Sequence, residues 1–200
     1  MEAAEIRRSL TGAWRLMMGR ADGLKLLDVS AEGFWDSFFA IIVAAPALVV
    51  GWLASADDFQ QAESIAARLS VVLRLALVDL CVWVLPLVAL GLVVRQADIA
   101  DRFVHYVVSG NWASAVRVWM MLPPSLLRLL APGAADLASL LSFLLFAVSL
   151  VLTWRQTNAA LGKGPAVATA LFVGMFFCSV IVLLVLQRMV GLDMTGQAPG

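Results

Sequence analysis

The run VVLRLALVDLCVWVLPLVALGLVV, residues 71–94, is almost wholly apolar yet holds Arg74 and Asp79. A carboxylate in such a segment must either meet a cation or line a path for an ion, a proton or a solute, because hydrocarbon solvates it badly. Arg74 lies about one turn inside the run, where its stem can stay in lipid while the guanidinium reaches the headgroups. Asp79 is deeper, and its side chain is too short to do the same. Five residues apart on a helix, the two point about 140° away from each other at about 100° per residue. They do not pair within one helix.

Other residue types that could do chemistry are sparse. His105 is the single histidine, and Asp101, four residues earlier, is its expected helical partner in a structural role. The stretch VVSGN (107–111) lacks the glycine that precedes a serine nucleophile by two residues, and no second histidine exists to serve one. No phosphate-binding glycine loop, HExxH pattern or pair of acids on one apolar segment occurs. Cys81 and Cys178 lie inside apolar runs and read as small buried hydrophobes, without a disulfide framework or a metal-ligand spacing. No catalytic, cofactor-binding or metal-ligating residue is assigned, and the expectation is a protein that is not an enzyme.

The elements that position these residues follow from composition. Of the 200 residues, 62% are hydrophobic and 14% charged, against about a quarter charged in soluble domains. That much apolar surface needs lipid as its solvent. The formal net charge is zero, which names no nucleic-acid partner. The basic residues are 12 Arg and 2 Lys, a bias pointing to a GC-rich bacterial genome and hence to the bacterial inner (plasma) membrane. Residues 1–33 lack the continuous apolar core of a cleaved signal peptide, so the first span is expected to serve as its own insertion signal.

About 20 apolar residues cross the hydrocarbon core. Five runs meet that length: 34–54, 71–94, 112–130, 135–156 and 165–190. The third, WASAVRVWMMLPPSLLRLL, holds Arg117, Arg128 and Pro123-Pro124, and its alternative is a re-entrant or interfacial helix. The expected fold is all-α: a cytoplasmic N-terminal segment (1–33), a five-span membrane domain (34–190) and an external tail (191–200). With the N-terminus inside, Arg7, Arg8, Arg15, Arg20, Lys25, Arg95, Arg102, Arg117, Arg155 and Lys163 fall on the cytoplasmic side. Only Arg68, Arg74, Arg128 and Arg188 fall outside, the asymmetry that sets orientation. Trp112 and Trp154 are expected to mark cytoplasmic boundaries, and Asn111 to cap the third span after a Ser109-Gly110-Asn111 break. Ile6, Leu10, Trp14, Met17, Ala21 and Leu24 recur at helical spacing, so residues 1–33 should form an amphipathic helix on the membrane surface. Arg7, Arg8, Trp14 and Arg15 then meet the headgroups. In the first outer loop, Phe59, Ala62, Ala66 and Leu69 predict a short surface helix.

Spans associate in lipid through small residues. Ala166, Ala170, Gly174 and Cys178 predict a packing face on the last span, and Ala40, Ala44, Ala47 and Gly51 one on the first. Ala138, Ser142, Ser149, Thr153 and Gln156 form a small, polar face on the fourth, expected to bond to neighbouring helices, with a pathway lining as the alternative. Taking the second span inward and the third outward, Asp79 and Arg128 lie about 22 and 24 Å from the inner boundary at a 1.5 Å rise, while Arg117 lies at about 8 Å. A structural ion pair between Asp79 and Arg128 is therefore expected.

The segments GNWASAVRVWMMLPPSLL (110–127) and FLLFAVSLVLTWRQTNAALGKGPAVATALFV (143–173) resemble the Yip family, in particular its bacterial branch. They share a glycine before a semi-polar helix ending in proline, then a long span, a short polar link and an alanine-rich last span. The resemblance implies a five-span bundle with the N-terminus inside and the C-terminus outside. The leading expected function is a non-enzymatic membrane scaffold that organises other membrane proteins or lipids, with self-association open to it. GRADGLKLLDVSAEGFW (19–35) does not match the acidic, Tyr-Gly-Pro-type motif of the eukaryotic members, so Rab binding is not carried over. The alternative function is a small transporter or channel component with Asp79 in its pathway.

Overall fold

A computed structural model describes residues 1–56 and 64–192. Its α-helices are α1 (Ala3–Met17), α2 (Ala31–Asp36), α3 (Ala40–Ala56), α4 (Ile65–Val93), α5 (Phe103–Met120), α6 (Leu122–Leu130), α7 (Ala135–Leu161) and α8 (Pro165–Met189), and no strand occurs among the described residues. Local sequence sets several ends. Ser30 and Ser64 accept from the Gly33 and Ala67 backbone N–H groups, each at 3.1 Å, capping α2 and α4. Gly162, in the left-handed region at φ 63°, ends α7, and Pro165 starts α8. The surface helix expected around Phe59 and Ala62 falls on residues outside the described ones; Ala66 and Leu69 belong to α4. The tail beyond Leu192 likewise lies outside them.

Among the described residues, four segments are long and apolar enough to cross a membrane: Ala31–Ala56, Ile65–Val93, Pro132–Leu161 and Pro165–Met189. Their length and composition are those of a multi-pass membrane protein. Large apolar side chains such as Leu73, Leu77, Phe143, Val151, Phe177 and Leu184 stand exposed on their outer faces, a surface suited to lipid rather than water.

The third expected segment is built differently. The helix does not break at Ser109-Gly110-Asn111; α5 runs straight through it. Ser109 turns its hydroxyl back to the His105 carbonyl at 2.6 Å, which removes its competition with the helix backbone. Asn111 is not an N-cap but a bridge between helices. The break comes ten residues later, at Met121, because Pro123 and Pro124 lack N–H groups and can only open a new helix, α6. Together α5 and α6 run alongside α3 in the same direction. Asn111 bonds Ser37, and Trp119 donates to the Val43 carbonyl, at nearly constant sequence offsets of 74 and 76. Ala40 and Ala44 are fully buried and Ala47 nearly so, and with Gly51 they let the two chains approach. Trp112, expected at a membrane boundary, is instead only 2% exposed in the core formed by α1, α3, α5 and α7.

The two ends of the bundle are distinguishable. At one, Ala56, Val71 and Leu192 share a cluster, joining the end of α3, the start of α4 and the end of α8. At the other, Lys163 in the α7–α8 link bonds the Asp98 carbonyl and pairs with Asp101 at 2.8 Å, fastening that link to the α4–α5 link. There too, α1 packs against α5 and α7, with Ala13, Leu16 and Met17 fully buried. Arg7 and Arg8 stay exposed and Trp14 is 45% exposed. Arg15 turns back to Asp22 at 3.2 Å rather than outward.

The small-residue row on α8 is a correction. Ala166, Ala170 and Gly174 are exposed and Cys178 only half-buried, and a Cβ added at Gly174 meets nothing within 4 Å. The helix packs instead by Val167, Ala168, Leu171 and Met175 against Leu90 and Leu161. The buried small residue of α8 is Ala168, off the expected row, with the larger Val167, Leu171 and Met175 packed around it. Gly174→Leu is thus expected to leave thermal stability in detergent within about 0.5 kcal/mol of the parent, as surface substitutions do. A melt lowered by several degrees would mean the row is packed.

Candidate functional site

A cavity of about 690 Å³ lies between α3, α4, α5, α6, α7 and α8, within the 300–1,000 Å³ range of small-molecule sites. Each wall has a traceable origin. α4 supplies Asp79, Trp83 and Pro86; α3 supplies Trp52 and Ser55; α5 and α6 supply Tyr106, Asn111, Ser114, Arg117 and Ser125; α7 supplies Ser149, Thr153 and Gln156. Phe146, Phe172, Met175 and Phe176 give an apolar lining opposite. Pro86 has no N–H for the Val82 carbonyl, so α4 carries a weak point in its ladder beside the cavity.

Asp79 accepts a 2.7 Å hydrogen bond from the Trp52 indole N–H. The expected pairing with Arg128 is not among the ion pairs of the described residues. The reason is helix arrangement. α4 packs on α8 and α3, whereas α6, which carries Arg128, packs on α3 and α7. Arg128 has contacts of its own. Level depth did not make the two helices neighbours.

The cation that does share the cavity with Asp79 is Arg117. The continuous α5 begins at Phe103, so Arg117 sits 14 residues in, about 21 Å along the axis rather than about 8 Å. It cannot snorkel to the near end. Its Nη2 donates to Ser114 Oγ at 2.6 Å, while Nη1 is buried without a hydrogen-bond partner. No ion pair joins Arg117 to an acid among the described residues. The stripe Tyr106, Gly110, Ser114, Arg117, Met121 and Ser125, at spacings of three and four, is the signal in the sequence that points this residue inward.

Two hydrogen-bonded bridges frame the cavity. Asn111 Oδ1 accepts from the Trp83 indole N–H and Nδ2 donates to Ser37 Oγ, both at 2.9 Å. Gln156 Nε2 donates to Ser109 Oγ at 2.7 Å. The polar face of α7 otherwise bonds within its own helix. Ser149 donates to the Phe146 carbonyl and Thr153 to the Ser149 carbonyl, each at 2.7 Å; Ser125 of α6 donates to the Met121 carbonyl at 3.0 Å. These hydroxyls have spent their protons on backbone, so they turn lone pairs toward the cavity.

Outside the spans, His105 does not pair with Asp101. Lys163 has taken that carboxylate and holds its carboxyl below the usual range. Burial, then the neighbouring Arg102, pushes the His105 imidazole down, against a smaller pull from Asp101. Its Nδ1 is buried without a partner, which fits a neutral, structural ring. Cys81 and Cys178 are half-buried free thiols. No group of three or more His, Cys, Asp or Glu side chains among the described residues could hold a metal ion. No protein-family model, curated protein or solved structure matches this chain.

Proposed function

We propose that this chain is a small solute-binding membrane protein of the transporter or channel-component class, with Asp79 on the solute's path. The observation that carries the reading is the half-buried Asp79 in the wall of a mostly apolar cavity, held by an indole rather than paired with a cation among the described residues. An acid kept at such depth beside open space, with an unmatched guanidinium in the same wall, suits a site that meets its counter-charges in a ligand. The reading includes five crossings. α4 and α7 both end beside Lys163 and Asp101, which supports α5–α6 crossing outward and α7 returning. The arginine and lysine bias supports a cytoplasmic N-terminus and an external C-terminus in a bacterial inner membrane, with Arg7 and Arg8 of α1 toward the headgroups.

Cysteine labelling tests this. In a chain with Cys81 and Cys178 replaced by alanine, a cysteine at the cavity residue Ser179 should react with a membrane-impermeant thiol reagent. A cysteine at Gly200 should react only from outside. A Ser179→Cys chain that stays unlabelled from both sides would sink the solute pathway. The outward row on α8 favours a second reading, a non-enzymatic scaffold contacting other membrane proteins, lipids or a second copy. Crosslinking through Gly174→Cys in native membranes should then capture a neighbour, and an uncrosslinked chain would remove that reading.

A further inference from the structure

We infer that the cavity ligand is a small zwitterion with an apolar body, its ammonium at Asp79 and Trp52 and its anionic group at Arg117. The inference rests on the solute-binding reading above and names the chemical class of its ligand. Three observations converge. The cavity wall holds one acid and one guanidinium that do not pair with each other. Their charges sum to zero, so a ligand of either single sign leaves one of them buried and uncompensated, while a zwitterion answers both. Among the described residues Asp79 accepts from one indole N–H, which leaves carboxylate lone pairs for an ammonium, and Trp52 and Trp83 line the same cavity. Arg117 uses Nη2 on a neutral hydroxyl and leaves Nη1 buried without a partner, a guanidinium whose charge a planar or tetrahedral anion would answer. Leu75, Val82, Phe172 and Phe176 supply the apolar remainder.

A free α-amino acid and an ethanolamine phospholipid headgroup share this chemistry, and the experiment separates them. The purified full chain is melted with leucine, phenylalanine, leucinamide (cation alone) and 4-methylpentanoate (anion alone). It is also melted in nanodiscs with and without phosphatidylethanolamine. Leucine or phenylalanine should raise the unfolding midpoint beyond both single-charge analogues, the folding constant rising about 100-fold when the free amino acid is 100 times its Kd. If the lipid is the source, only phosphatidylethanolamine protects. Arg117→Gln should abolish zwitterion protection and leave that by leucinamide, and Asp79→Asn should abolish it too and leave that by 4-methylpentanoate. Arg117→Lys, which keeps the charge, guards against a fold too weak to read. Equal protection by a zwitterion and by one single-charge analogue, or none from any source, overturns the inference. Labelled Ser179→Cys with no zwitterion protection would keep the solute cavity and discard only the zwitterion.

Discussion

Asn111→Leu is expected to destabilise the protein by about 1–3 kcal/mol, the cost of one stranded buried polar group. The residue is 1% exposed, and its amide accepts from the Trp83 indole N–H and donates to Ser37 Oγ. Leucine fills nearly the same volume, so the loss reads out hydrogen bonding rather than a void. Ser37 still donates to the Phe34 carbonyl at 2.6 Å, and the indole is the group left stranded. Trp83→Phe in the same chain removes that donor, so the double variant should recover part of the loss. Unfolding in mixed micelles measures both, and a single variant within 0.5 kcal/mol of the parent, roughly the scatter of neutral surface changes, would mean that water replaces the amide.

A larger loss is expected where the Ala21–Leu26 turn packs on α1. A Cβ on Gly23 would lie 2.4 Å from the Gly12 carbonyl oxygen and 3.0 Å from both Arg15 Cβ and Leu16 Cγ. The opposing atom is backbone and cannot swing aside. Gly23→Val therefore has to push the Ala21–Leu26 turn off α1. Overpacking alone costs about 1–3 kcal/mol, and exposing Leu16 and Met17 as the helix lifts adds about 1.5–3 kcal/mol each. The change should appear as a lowered melt together with protease cleavage before residue 27, while the four long helices persist. Gly110→Ala is the control, because a Cβ there meets nothing within 4 Å. Equal behaviour of the two variants would refute the close approach.

The four long apolar helices were legible because length and apolarity are local properties. The expected 135–156 and 165–190 differ from Ala135–Leu161 and Pro165–Met189 by a few residues. The third segment was misread through three residues. Ser109-Gly110-Asn111 has the composition of a turn, but in a bundle its serine and asparagine find partners at His105, Ser37 and Trp83, and tertiary bonding overrides the local preference. That one error moved the expected helix start from Phe103 to residue 112 and made Arg117 look shallow. The pairing of Asp79 with Arg128 failed for a different reason: depth can be counted along a chain, but which helices touch is a property of the whole bundle. Trp52, not a charged residue at all, became the partner of the acid.

The central place of α5 has a consequence for biosynthesis. On the five-crossing reading this helix carries Arg117, in its last turn, near mid-membrane, and it leans on α1 and α3, made before it, and on α7, made after it. An arginine at the centre of a span costs about 2.5–3.5 kcal/mol on insertion scales, too much for so polar a segment to enter lipid unaided. On emerging from the ribosome, α5 and α6 can lie along α3 at once, through Ser37 and Val43, but Gln156, which closes the buried bridge to Ser109 from 47 residues further along the chain, has yet to emerge. The translocating chain must therefore hold a half-shielded arginine until α7 arrives, and integration of the middle of this protein waits on its C-terminal half.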